Sequence, residues 1–148
     1  MTIKQHVDHW LNSSDESYRD MTALLEKKRW TASLYFGHLT LEKLLKAILA
    51  ANNVQIIYTH KLCLLADACG LVLSDEQREE LDIITEFNTA TRYASVKAAI
   101  YKRCTPAYTK AQIRIIKKWK KYMREAVINC RATVTDKTTA SYPEKSFK

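Results

Sequence analysis

From Trp30 to Asn53 the chain reads WTASLYFGHLTLEKLLKAILAANN, with no Pro and a single Gly. Wound at about 100° per residue, Phe36, Leu44, Gly37, Ile48, Leu41, Leu34 and Leu45 share one arc wider than half the circumference. Glu42, Lys43 and Lys46 are crowded onto the narrow stripe that is left. A surface helix buries a narrower band, so this stretch predicts a central helix contacted on several sides. Glu42 precedes Lys46 by four residues, the favourable order for an intrahelical ion pair. Gly37 lies inside the apolar arc, where Gly costs about 1 kcal/mol against Ala. Its presence there predicts close approach of another helix backbone.

The same reading extends along the chain. Residues 3–28 carry Val7, Trp10, Leu11, Ser14, Tyr18, Met21 and Leu25 at steps of three and four, a stripe that would face the central helix. The Lys27-Lys28-Arg29 connection is short, so these two helices are expected to be antiparallel neighbours. After a loop from Val54 to Tyr58, Thr59 stands as an N-cap for a third helix from His60 to about Cys69, with Gly70 as its left-handed C-terminal cap. Ser74 and Gln77 make a capping box for a fourth helix that runs to about Asn88 and buries Leu81, Ile84 and Phe87. Residues 91–107 show no clean period beyond one helical turn around Val96 to Tyr101. Thr105-Pro106 opens a fifth helix to about Cys130, with Ile113, Ile116, Tyr122 or Met123, and Val127 inward. Ala132 onward, rich in Thr, Ser and Lys, reads as a disordered tail.

Composition narrows the class. Two Gly and two Pro in 148 residues leave few turns, in keeping with a mainly helical single domain. No apolar run approaches the roughly 20 residues of a bilayer span, and MTIKQHVDHW has no apolar signal core. A soluble cytoplasmic protein without membrane contact is expected. Cys63, Cys69, Cys104 and Cys130 form no CxxC pair and have no histidines at zinc-ligand spacing, so they read as reduced, buried small hydrophobes.

The net charge of +8 is unevenly placed. Ser74 to Glu86 is acidic, relieved only by Arg78, whereas Lys97 to Arg131 is basic with Glu125 its only acid. Arg114, Lys117, Lys118, Lys120, Lys121 and Arg124 fall on the outer face of the fifth helix. Two solvated faces that partly neutralise each other would account for this. So would a basic surface for RNA, nucleotide or an acidic protein.

Four motifs then occur in order: LEKLLKA from Leu41 to Ala47, Thr59-His60-Lys61-Leu62, FNTATRY from Phe87 to Tyr93, and YKRCT from Tyr101 to Thr105. Over roughly residues 8–130 the chain thus resembles the HEPN domain, the higher-eukaryote and prokaryote nucleotide-binding family. The resemblance implies an up-and-down helical bundle that is usually a homodimer. Many prokaryotic members pair with a minimal nucleotidyltransferase, often as toxin and antitoxin. Others are metal-independent ribonucleases that use an Arg followed four to six residues later by a His.

That motif is absent here. The histidines are His6, His9, His38 and His60, and none has an Arg at the required distance before it. Arg92 keeps a family-like Arg at the end of the fourth helix, but Ala94 stands where Pro commonly follows the Arg-Tyr pair. His38-Leu39 replaces glutamines common before the Glu-Lys pair. Other chemistry would need a group titrating near neutrality and a cation for phosphate. His60, Arg92, Lys43 and Lys46 could converge for this. Alternatively, His60 packs on the core behind its cap, and Arg92 pairs with Glu42. No Gly-rich phosphate loop or nucleophile elbow occurs.

The expectation is an all-α, up-and-down bundle of about five helices over residues 1–131, with a tail over 132–148. It would act as a homodimeric binding module with no cofactor and no metal, leaning away from catalysis. The first reading is a non-catalytic HEPN partner of a nucleotidyltransferase-type protein, in a toxin–antitoxin or nucleotide-sensing pair. Its nucleotide- or partner-facing residues would be Lys43, Lys46, His60, Arg92, Tyr93, Lys102 and Arg103. The alternative is a protein that binds, or weakly cleaves, RNA through the basic fifth helix. A purely structural homodimer is the third.

Overall fold

The computed structural model describes residues 1–89 and 93–135. Among them are six helices: α1 (Ile3–Glu26), α2 (Trp30–Ala51), α3 (Leu62–Ala68), α4 (Asp75–Thr89), α5 (Ala94–Arg103) and α6 (Pro106–Thr135). The architecture is all-α as expected, with one helix more than the five anticipated. The addition is α5, in the stretch without a clean period. It buries only Ile100, so it has no apolar stripe to announce it. The tail expectation beyond Thr135 falls outside the described residues.

The central place of α2 follows from its wide apolar arc. Helices α1, α6, α4 and α3 all pack on it, and Leu34, Leu41, Leu44, Leu45, Ala47 and Leu49 are completely buried. The inward row of α1 matches its period, with Val7 and Met21 fully covered, and α4 buries Leu81, Ile84 and Phe87. On α6, Ile113, Ile116, Met123 and Val127 turn inward, and Tyr122 stays exposed. Trp119 joins them because its indole N–H reaches the Glu80 carboxylate at 3.2 Å, which satisfies the one polar atom of a large apolar ring.

Gly37 does mark a close approach, though by side chains. A Cβ there would lie 2.6 Å from Ile116 Cδ1 and 3.2 Å from Met21 Sδ, so α1 and α6 meet over this glycine through their side chains, not through a backbone. Two caps sit where the sequence puts them. Gln77 N–H donates to Ser74 Oγ while Ser74 N–H donates to Gln77 Oε1, and Tyr108 N–H donates to Thr105 Oγ1 ahead of α6. Gly70, at φ +77°, closes α3 with N–H bonds from Gly70 to Asp67 O and from Leu71 to Ala66 O.

Helix α3 starts two residues later than its local signal. Thr59 Oγ1 accepts from Lys61 N–H in a tight turn instead of capping the helix. The first N–H of α3, on Leu62, is satisfied by Thr85 Oγ1 of α4. A cap supplied by a distant helix has no local signature. No helix among the described residues is long and apolar enough to cross a membrane.

Candidate functional site

His38, Glu42 and Lys46 follow one another at steps of four on α2, so their side chains lie in one row along the helix. Two members of the polar stripe of α2, Glu42 and Lys46, are buried. The Glu42 carboxylate accepts from Lys46 Nζ at 3.1 Å through one oxygen and from His60 Nδ1 at 2.7 Å through the other. Lys46 Nζ also lies 5.2 Å from the centroid of the Trp10 ring of α1. A buried ion is tolerated when its charge and its lone pairs are both met. Here Lys46 supplies the opposite charge, and His60 fills the second oxygen.

His38 completes the group. It is fully buried, and its Nε2 lies 2.8 Å from the His60 carbonyl oxygen. A carbonyl only accepts, so Nε2 carries the proton. His38 Nδ1 is then a buried acceptor without a hydrogen-bond partner. Burial pushes the His38 pKa below its ordinary 6.5 and keeps the ring neutral, partly offset by the bond to His60 O and the nearby Glu42 charge. His60 is therefore held twice, by its backbone through His38 and by its ring through Glu42. Its side chain is still 43 % exposed.

The residues named from sequence do not form one site. Lys43 turns to α1, donating to Ser17 Oγ at 2.7 Å and Ser13 O at 3.3 Å, and partial burial lowers its pKa. Lys46 is inside the network and not ligand-facing, because it neutralises Glu42. His60 joins the network through its ring contact with Glu42. Tyr93 is the exposed N-cap of α5. Lys102 and Arg103 close α5, where Arg103 is paired with Glu86 at 2.7 Å and lies over the Tyr108 ring. No described contact joins these three to the network. Arg92, and with it the expected choice between ligand and Glu42, lies outside the described residues. The Glu42–Lys46 ion pair is the one the spacing of four indicates; His38 and the Glu42–His60 contact were missed, although the spacing of four between His38 and Glu42 on an apolar helix was an available signal.

The charged faces of α4 and α6 meet within the chain. Lys118 Nζ is 3.0 Å from Glu80, and Arg124 is 2.9 Å from Asp15 of α1. Lys120 Nζ sits 4.2 Å above the Tyr18 ring. Lys110, Arg114, Lys117 and Lys121 are exposed, and at spacings of four, three and four they form a single row along α6. Beside that row a groove of about 310 Å³ runs between α1 and α6, lined by Tyr18, Lys117, Lys120, Lys121 and Arg124 among others.

Among the described residues, no group of three or more His, Cys, Asp or Glu could hold a metal ion. The thiols are held protonated. Burial pushes Cys69 up to about 12 and Cys63 to about 11, and raises Cys104 and Cys130 as well. No curated protein and no solved structure matches the chain. The family model of the HEPN domain matches residues 7–131. With that match spanning most of the sequence, the chain belongs to the HEPN domain family.

Proposed function

We propose that this HEPN chain is a binding module that holds RNA by its phosphates on the outer face of α6, without cleaving it. The observation that carries the reading is the row of Lys110, Arg114, Lys117 and Lys121. The neighbouring Lys118 and Arg124 are held by Glu80 and Asp15, so the row is the part of the basic face left to an outside anion. Successive members rise by about 4.5–6 Å along the helix axis, close enough for a flexible single strand to place one phosphate at each. The missing Arg-to-His ribonuclease spacing and the internal ties of Lys43 and Lys46 favour binding over cleavage.

Binding of a labelled single-stranded RNA, followed by fluorescence anisotropy across salt concentration, tests this. Four phosphate contacts on a single strand give log K a slope of about −3 against log salt. Changing the four row residues to Gln should abolish most of that slope. Affinity that is flat in salt, or indifferent to the four changes, would sink the reading.

A second reading, as partner of a nucleotidyltransferase-type protein in a nucleotide-sensing or toxin–antitoxin pair, is favoured by a different surface. Between α2 and α4 the chain exposes Ile57, Tyr58, Leu64 and Val72, the last at 95 %. Apolar side chains of this kind suit a protein partner or a second copy of the chain. Mild low-salt purification from the native cell separates the two readings. A stoichiometric protein with a protein-like absorbance ratio supports the second, and a raised 260-to-280 nm ratio that collapses in salt supports the first.

A further inference from the structure

We propose that His60 is a phosphoryl-acceptor site, in which buried Glu42 holds the ring by Nδ1 so that Nε2 is presented to solvent as a nucleophile. The site is independent of the α6 surface. It takes energetic phosphoryl donors, meaning N–P compounds and acyl phosphates.

Three features of the network carry this. The 2.7 Å contact fixes the proton on Nδ1, because a carboxylate can only accept there, and so leaves the lone pair of a neutral ring on Nε2. Glu42 cannot swing away, since Lys46 holds its other oxygen and lies under Trp10. The backbone of His60 is fixed separately by His38. A carboxylate that orients an imidazole and stabilises positive charge on it is the arrangement that activates a histidine. Here it serves a ring whose side chain is 43 % exposed, within reach of a small or protein-borne donor. Lys61, exposed and next in the chain, supplies a cation for the incoming phosphoryl oxygens.

The step balances simply. The Nε2 lone pair attacks phosphorus and an N–P bond forms. The donor's own bond to phosphorus breaks, and its electron pair leaves with the departing group. With phosphoramidate, whose nitrogen is already protonated, that group is ammonia. The Nδ1 proton stays between the ring and Glu42, which stabilises the charge on the modified ring. Nothing is oxidised or reduced.

The test uses the whole chain and phosphoramidate. Intact mass, peptide mapping and 31P NMR report how much label forms, on which histidine and on which nitrogen. His9, exposed and with no ion pair to a carboxylate among the described residues, is the internal reference. The expected result is one phosphoryl group on His60 Nε2, formed roughly tenfold faster than on His9, the rate equivalent of one charge-assisted hydrogen bond. Glu42→Gln should bring the two rates together, and His60→Asn should leave only the slow reaction. If Glu42→Gln does not fold by circular dichroism, the wild-type site, isomer and rate ratio decide alone. Label that favours His9, divides evenly between the two, or sits on Nδ1 of His60 overturns the proposal.

Discussion

His38 Nε2 lies 2.8 Å from the carbonyl oxygen of His60, and that single contact settles the state of a buried titratable group. The ring must donate there, burial opposes a second proton, and Nδ1 has no hydrogen-bond partner to reward one. The folded pKa is therefore depressed below the ordinary 6.5 of the unfolded chain.

The sign of the consequence for stability follows. Above about pH 6.5 both states carry a neutral His38, and the residue gives no pH dependence. As pH falls below this, the unfolded chain takes up a proton that the folded chain refuses, and stability drops by up to about 1.4 kcal/mol per pH unit. The slope from this residue ends at the folded pKa. Urea midpoints measured downward from neutrality should fall in the wild type and fall less in His38→Gln, whose amide can still donate to His60 O. His6, also depressed by burial, stays in both proteins and cancels in the comparison.

Lys46→Met should cost about 3 kcal/mol or more, because it strands the Glu42 carboxylate in the core with His60 alone. Lys118→Met removes a lysine from an ion pair of similar length but with a 64 % exposed side chain, and should cost less than about 1 kcal/mol. Equilibrium unfolding of the two variants side by side checks the contrast, and adding Glu42→Gln to Lys46→Met should recover much of the larger loss.

At Gly37 two effects oppose each other. Ala would return about 1 kcal/mol of helix propensity, but its methyl would meet buried Ile116 Cδ1 at 2.6 Å. Overpacking of a tight core costs about 1–3 kcal/mol, so Gly37→Ala should be destabilising on balance. Combining it with Ile116→Val, which removes the clashing methyl, should restore part of the difference in a thermal melt.

The four thiols should be slow toward alkylating and disulfide reagents in the folded protein. With Cys63 raised to about 11 and Cys69 to about 12, the reactive thiolate is a minor species at neutral pH. Ellman titration should give four thiols per chain promptly in denaturant and a small fraction of that rate without it.

Most of the bundle is written in local pattern. The wide arc of α2, the stripes of α1, α4 and α6, the Ser74–Gln77 box, Thr105-Pro106 and Gly70 each depend on neighbours within a turn or two, so the sequence by itself determined them. The basic face of α6 is legible for the same reason, as is the absence of an Arg-to-His spacing. Tertiary structure decided the rest. It gave α5 its helix without a stripe, and it moved the start of α3 to a cap supplied by Thr85. It also turned Glu42 and Lys46 inward, for which a narrow stripe of charged residues gives no local sign. A charged pair goes inside only when residues far along the chain meet its remaining valences, and Trp10 and His60 do so here. Which of the α6 cations are without an acidic partner among the described residues was likewise decided in three dimensions, by where Asp15 and Glu80 come to lie.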